Sequence, residues 1–419
     1  MARHRSSPEG ALAVGFEDVE AAARALEGEV ARTPCLPSAR LSELLGCDLT
    51  LKFETFQHSS SFKDRGACVK LASLSAAERA RGVIAMSAGN HAQGVAHHAT
   101  RLGIPATIVM PRQTPFVKVE KTTQFGARVV LEGDSVDEAA DYAHRLAAER
   151  DLTFIHPYDD PQIIAGQGTI GLEMLSEAPD LEVLVVPIGG GGLISGVATA
   201  AKALKPAVEV VGVQAAACPS MYRKRAGLPE APLRPTIAEG IAVKTPGELT
   251  LPIVRALVGD ILLVEEDAIE NAILSLLEVE KTVVEGAGAA GLAAVTSYRE
   301  RFVGRRVGLM LCGGNIDLRL LSVVILRGLV HSKRVIWLQV GMPDAPGNLA
   351  QAAALIGQAG GNILEVAHQR AFSPLSIKST EVNFIIETQN AAHATEVVTA
   401  LRAAGFEVRI LEGAGTGGF

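Results

Sequence analysis

Val183-Leu184-Val185-Val186-Pro187-Ile188 runs without a charge into Gly189-Gly190-Gly191-Gly192 and on into Leu193-Ile194-Ser195-Gly196. A short apolar run bounded by glycines reads as a strand, and the segment after the glycines reads as a helix. The charge-free run continues to Ala201. Pro187 and four glycines interrupt it, so it is a strand, a turn and a helix rather than a membrane span. A strand that feeds a turn and a helix is the repeating unit of a parallel α/β sheet.

The same unit recurs on either side. Leu49–Thr55 reads as a short strand and Phe62 opens a helix. Val83–Met86 is a strand leading into Ser87-Ala88-Gly89-Asn90-His91 and a helix to about Arg101. Ala106–Met110 and Arg128–Leu131 are strands with a helix between, and Ser135 caps a helix to Arg150. After a break at His156–Pro161 come a helix over Gln162–Leu175, the opening strand, and strands at Val208–Val213, Ile261–Val264 and Val307–Leu311. Residues 1–15 read as a loose tail and 226–250 as a Pro-rich loop. The pattern predicts two α/β lobes, the smaller over about residues 50–158, with a cleft between them as the ligand site.

From about Lys333 the grammar changes. Val335–Val340, Ile363–Gln369, Val382–Glu387 and Phe406–Ile410 read as strands. Helices fall at Asn348–Ala359 and Ala392–Ala404. This β-α-β-β-α-β order is a ferredoxin-like module. The expected division is 1–330 for the α/β segment and 331–413 for the module.

At 419 residues, with 48% hydrophobic and 20% charged residues, the chain is globular and long enough for more than one domain. A net charge of -7, one Trp and four Tyr argue against a nucleic-acid partner. The five cysteines, Cys35, Cys47, Cys68, Cys218 and Cys312, form no CxxC pair, which predicts a reducing, cytoplasmic setting. Met1–Gly10 has no apolar core of the kind a secretory signal carries, and no membrane partner is expected.

Chemistry gathers at four loops. In Ser59-Ser60-Ser61-Phe62-Lys63-Asp64-Arg65-Gly66-Ala67, Ser60 or Ser61 is the expected N-cap. Lys63 then lies in the first helical turn, where the dipole disfavours an ammonium. Burial would lower its pKa further, and a neutral amine can attack a carbonyl. Taken alone it would read as a surface lysine. Gly189–Gly192 before a helix suits a phosphate. No Gly-Lys-Ser/Thr follows, and GxGxxG spacing fails at Ile194 and Ser195, which speaks against a nucleoside triphosphate or a dinucleotide. Ser87–His91 repeats the geometry and could hold a carboxylate, or could simply cap its helix. Cys312-Gly313-Gly314-Asn315 is a third strand-end loop. Three loops and a lysine imply a phosphorylated carbonyl cofactor. Pyridoxal 5′-phosphate fits, with its aldehyde for Lys63, its phosphate for the glycines and its ring near Phe62.

Ser61–Ala67, Ser87–Gly94, Gly189–Gly196 and Gly313-Gly314-Asn315 together resemble the serine/threonine dehydratases of the tryptophan-synthase-β-like, type II pyridoxal-phosphate fold. The likeness covers roughly residues 15–330. Asp344–Leu349 and Gly361-Asn362-Ile363 resemble signatures of an ACT domain, and a dehydratase with one such domain resembles the threonine ammonia-lyases. The resemblance implies that Lys63 forms a Schiff base with the cofactor and then acts as the base at Cα. Phe62 would pack on the ring, Asn90 would bond the ring hydroxyl, and Gly189, Gly190, Gly191, Gly192 and Leu193 would hold the phosphate. Cys312 would face the pyridine nitrogen, where relatives usually carry Ser. Ser87, Ala88, Gly89, Asn90 and His91 would hold the substrate carboxylate. The implied reaction is β-elimination from threonine or serine, giving a 2-oxo acid and ammonia. Serine racemases of this family have a second serine where this chain has Ala88, which argues against racemisation. They also build a metal site with a Glu and an Asp, both missing from Gln214–Ser220, so no metal is expected. Glu285 reads either as catalytic or as a structural cap. The module would bind a small amino-acid or nucleotide effector at Asp344, Gly347, Asn362 and Ile363, in a homo-oligomer, a tetramer or dimer.

Two other readings compete. One is a sibling lyase for another β-hydroxy amino acid such as 3-hydroxyaspartate. The other, from a different class, is a non-catalytic amino-acid sensor, against which Lys63, Asn90 and the four glycines speak.

Overall fold

The computed structural model describes residues 12–369 and 379–411. They fall into two compact units that divide between Ile316 and Asp317. The expected tail is described only from residue 12 onward.

In the first unit the chain lays down β1 (Cys35–Pro37) and β2 (Asp48–Lys52), then leaves that sheet. It builds β3 (Val83–Met86), β4 (Ala106–Met110), β5 (Arg128–Leu131) and β6 (Thr153–Phe154) as a separate parallel sheet in the order β5-β4-β3-β6. It returns with β7 (Val183–Pro187), β8 (Glu209–Ala215), β9 (Asp260–Val264) and β10 (Arg306–Met310). These complete a six-stranded sheet ordered β1-β2-β10-β7-β8-β9, in which only β1 runs antiparallel. All five residues of β7 are buried, as a strand covered by helices on both faces requires.

The strand expected at Leu49–Thr55 is β2, and it stops at Lys52 because Glu54–Phe56 turns into a 3-10 helix. It pairs with β10, Leu51 opposite Leu309, so it belongs to the larger sheet and not to the smaller lobe. A local apolar pattern does not reveal a partner some 250 residues away. The smaller lobe's core instead begins in the helix Lys63–Ala72. There Ala67 and Leu71 pack with Val83, Ala85, Val95 and Ile108.

The second unit, described by itself, contains β11 (Val335–Pro343), β12 (Asn362–Gln369), β13 (Ser379–Glu387) and β14 (Glu407–Ile410). Their order is β12-β13-β11-β14, with helices Asn348–Gln358 and Ala391–Ala403. This is the expected β-α-β-β-α-β arrangement. Val382, Phe384 and Ile386 face its core with Leu338, Ile356 and Val397. The helix Leu318–His331 packs against β11 and groups with this unit. The division therefore falls one helix earlier than the expected 330/331, because a helix between two units carries no composition shift that says which one it joins. Among the described residues no helix is long and apolar enough to cross a membrane.

Candidate active site

Lys63 is the first residue of its helix. The expected serine cap is absent. Phe62 occupies the cap position without a side-chain bond, Ser60 takes a left-handed φ of 57°, and Ser61 bridges Gly313. The turn is held from the other side: both the N–H and the hydroxyl of Ser59 donate to the carboxylate of Asp64, at 2.8 and 2.6 Å. Two main-chain bonds stitch this loop to the end of β10, Phe62 N–H to Cys312 O at 3.0 Å and Gly314 N–H to Ser60 O at 2.9 Å. The Lys63 ammonium lies 5.0 Å from the Phe62 ring centre and donates to Pro157 O at 2.6 Å. Burial pulls the Lys63 pKa down to about 8, with the Glu285 carboxyl opposing.

The next residue, Tyr158, joins Lys63 to the glycine loop. A Cβ on Gly190 would stand 2.3 Å from the Tyr158 ring, and one on Gly192 would stand 2.9 Å from Tyr158 O. A Cβ on Gly189 would touch Val243 at 3.0 Å, while Gly191 takes a φ of +100° against Thr250 and Met221. The four glycines thus have a packing reason besides ligand approach. The helix Gly192–Leu204 makes its first turn bond from Ser195 N–H to Gly191 O. That leaves the N–H groups of Gly192, Leu193 and Ile194 without an intrahelical acceptor, at the positive end of the dipole.

Asn90 opens the helix Asn90–Arg101. Its Nδ2 donates to Glu285 Oε1 at 2.7 Å, and its Oδ1 accepts from Asn315 Nδ2 at 2.8 Å. Glu285 Oε1 lies where a Cβ on Gly313 would stand, 2.4 Å away. Burial pushes the Glu285 carboxyl up to about 7, with the Asn90 bond opposing. Cys312 is 2% exposed, and burial first and Glu285 second hold its thiol well above the usual range. It therefore remains a neutral thiol.

In the Ser87–His91 loop, Ser87 Oγ accepts from Gly89 N–H at 3.2 Å, while Ala88 packs on the small-lobe core. The His91 ring is used within the fold. It is 3% exposed and its Nε2 bonds Ile155 O at 2.9 Å. Burial, then the Lys63 charge, take its pKa down to about 3. Its side chain is a neutral strut that ties the loop to the end of β6, and only its backbone is available to a ligand.

Residues 26–313 match the pyridoxal-phosphate dependent enzymes. The chain belongs to this family. It is 46% identical over 402 residues to the L-threonine ammonia-lyase of Thermotoga maritima, covering 95% of this chain and 100% of that one. A solved T.th. threonine deaminase is 42% identical with a TM-score of 0.69, over 73% of this chain and 99% of that one. Maize serine racemase gives 34% and 0.71, over 76% and 99%.

Pyridoxal 5′-phosphate, the cofactor of this family, fits the residues present. A lysine amine with a lowered pKa, three helix N–H groups and an amide lie on loops that touch one another. Ser61 Oγ, beside Lys63, is buried without a hydrogen-bond partner among the described residues.

Three groups of residues lay beyond the sequence reading. Tyr158 and Thr250 shape the glycine loop, the latter by donating to Gly190 O at 2.7 Å. Arg65 carries a fully buried fork to Glu54 at 2.7–2.8 Å and to Glu173 at 2.6–2.9 Å. Buried Lys52 bonds the same Glu173 at 2.6 Å. A lone basic residue two places after Lys63 gives no signal of this. Gln214, in the stretch expected to lack a metal site, spends its amide on Ile188 O and Tyr222 N–H.

The four expected effector residues do not meet within one copy. Asp344 and Gly347 follow the end of β11, where Pro343 pairs with Ser379. Asn362 and Ile363 open β12, where Asn362 pairs with Glu387 at the opposite end of the sheet. Parallel strands joined by one crossover helix necessarily start at the same edge, which separates the two signatures.

Proposed function

We propose that this enzyme is a threonine ammonia-lyase, converting L-threonine, and L-serine as a second substrate, to a 2-oxo acid and ammonia. The observation that carries the reading is the meeting of Lys63, the Gly189–Gly192 loop and Asn90 through Pro157–Tyr158 and Gly313. The 46% identity to an L-threonine ammonia-lyase along 95% of the chain supports it.

When bound, pyridoxal phosphate supplies an aldehyde for an amine and a conjugated ring that draws electrons from Cα. The N–H groups of Gly192, Leu193 and Ile194, with the glycines before them, hold its phosphate. Asn90 would donate to its ring oxygen, and Phe62 would pack beside the ring. Cys312 would stand toward its ring nitrogen as a neutral thiol and would bring no carboxylate to that end, a setting that suits elimination. The Ser87–His91 backbone and the Ser87 hydroxyl hold the substrate carboxylate. Lys63 removes the Cα proton; with its pKa about 8 the amine is near its working range at neutral pH. Ala88 offers no acid on the opposite face, so elimination is favoured over racemisation.

The second unit, beyond the catalytic segment, is in this reading an ACT module. It pairs with a second copy, so that Asp344 and Gly347 of one copy meet Asn362 and Ile363 of another around a small effector. The enzyme is then a homo-oligomer.

The test is 2-oxo-acid release from L-threonine, L-serine and threo-3-hydroxyaspartate, supplied separately, with Lys63→Ala as control. Fastest release from threonine, lost in the variant, is expected. Faster release from 3-hydroxyaspartate would move the substrate assignment.

A further inference from the structure

Glu285 has two roles open to it from sequence, chemistry or helix capping. Glu285 does stand at the N-cap position of the helix Gly286–Ser297, but its side chain makes no cap bond. It turns instead to Asn90 at 2.7 Å. Two glycines keep its place open: a Cβ on Gly313 would stand 2.4 Å from Oε1 and one on Gly240 3.2 Å.

The amide orientations follow from one fixed acceptor. Ser59 O can only accept, so Asn315 must present Nδ2 to it, at 2.7 Å. The same Nδ2 reaches Asn90 at 2.8 Å, which forces Asn90 to present Oδ1 there and Nδ2 to Glu285. One Asn90 amide hydrogen is thus committed to Glu285 and one remains.

We propose that Glu285 is a positioning residue, which by holding one amide hydrogen of Asn90 aims the other at the ring oxygen of bound pyridoxal phosphate and, by its own ionisation, sets how strongly that hydrogen is donated. This rests on the reading of Asn90 as the partner of the ring oxygen. Hydrogen bonds in a chain polarise one another. An anionic Glu285 pushes electron density onto the Asn90 amide and weakens its second donor; a neutral one does so less.

The surroundings leave Glu285 to titrate near neutrality. Burial holds it at about 7. The charged and titratable groups around it are Lys63, Cys312, Glu239 and Lys118. Cys312 stays a thiol, and Lys63 is taken up by the cofactor aldehyde. Lys118 and Glu239 pair with each other at 2.5 Å, which offsets their fields at Glu285.

The experiment follows the visible absorption of bound cofactor from pH 5.5 to 9 without substrate, in wild type, Glu285→Gln, Glu285→Ala and Asn90→Ala. Cofactor affinity is measured in parallel by fluorescence. The wild-type band is expected to shift with an apparent pKa near 7. Gln still accepts from Asn90 but cannot ionise, so affinity should stay within about threefold while the pH dependence disappears. Ala should weaken affinity about tenfold, and Asn90→Ala should lose the shift. A Glu285→Gln or Asn90→Ala band that titrates like wild type would overturn the proposal, as would a wild-type band indifferent to pH. A wild type that takes up no cofactor and shows no band would overturn the site reading itself, and the proposal with it. If Glu285→Ala fails to fold, the Gln and Asn90 variants carry the test.

Discussion

Lys63 Nζ donates to Pro157 O at 2.6 Å, although the two residues stand 94 positions apart. The contact fixes the amine in a buried setting that lowers its pKa to about 8. Only the neutral amine attacks an aldehyde. The rate at which cofactor-free enzyme takes up pyridoxal phosphate should therefore rise with pH to about 8 and then level off. An exposed lysine, with a pKa of about 10.4, would still be rising there. Stopped-flow absorbance on the cofactor-free protein measures this, and Lys63→Ala should show no such phase.

Tyr158 and Gly190 form the second half of that connection. A methyl group on Gly190 would overlap the ring at 2.3 Å. Overpacking of this kind typically costs about 1–3 kcal/mol, and here it falls on the loop proposed to hold the cofactor. Gly190→Ala should weaken cofactor affinity by about tenfold or more, since each 1.4 kcal/mol is a factor of ten. Adding Tyr158→Ala should recover part of that loss if the clash is the cause. No recovery in the double variant would assign the loss to the ligand side of the loop.

Arg65, two residues past Lys63, fixes the lysine helix to the larger lobe. Its guanidinium and the Glu54 carboxylate are both fully buried. Removing one partner of a buried pair strands the other and typically costs about 3–5 kcal/mol. Arg65→Met should lower the urea midpoint accordingly. The network also has an acid limit. Burial acts to raise the Glu173 pKa, but Arg65 and Lys52 outweigh it and hold it below its ordinary 4.5. A depressed carboxylate contributes stability that is complete above the unfolded value and lost as pH falls through the folded one. Wild-type stability should thus fall below about pH 4.5, and Glu173→Gln should flatten that fall.

The parts legible in the sequence were those written locally. Strand, glycine turn and helix identified β7 and the glycine loop after it, and alternation at Val382, Phe384 and Ile386 gave the last module's face. Lys63 and Asn90 stood out because each opens a helix after small residues. What escaped depends on distant partners. Nothing near Ser60 or Ser61 shows that the cap is replaced by Asp64 reaching back to Ser59 and by bonds to Cys312 and Gly314. Nothing near Leu49 shows that β2 pairs with β10. His91 falls in a loop expected to bind through its backbone, and only the fold shows that its ring is bonded to Ile155 O. Arg65, Glu54, Glu173 and Lys52 are ordinary charges in sequence and become a buried network only when β2 and two helices meet.

The division at Ile316/Asp317 suggests a cleaner truncation than one at residue 330. The residues that assemble the site, from Ser59 to Asn315, all precede it, and three quarters of this chain spans nearly the whole of two solved relatives. Cutting after Ile316 also removes the helix Leu318–His331, whose buried Leu321 and Val324 would otherwise be left at a new terminus without the second unit that the helix belongs to. The truncated enzyme should keep its cofactor band and turn over threonine within about tenfold of the full chain. Any change in the threonine dependence of the rate caused by isoleucine, valine or a nucleotide should disappear with the second unit. Steady-state rates against threonine, with and without each effector, decide it. An effector response that survives truncation would place the regulatory site within the first 316 residues and refute the ACT reading of the second unit.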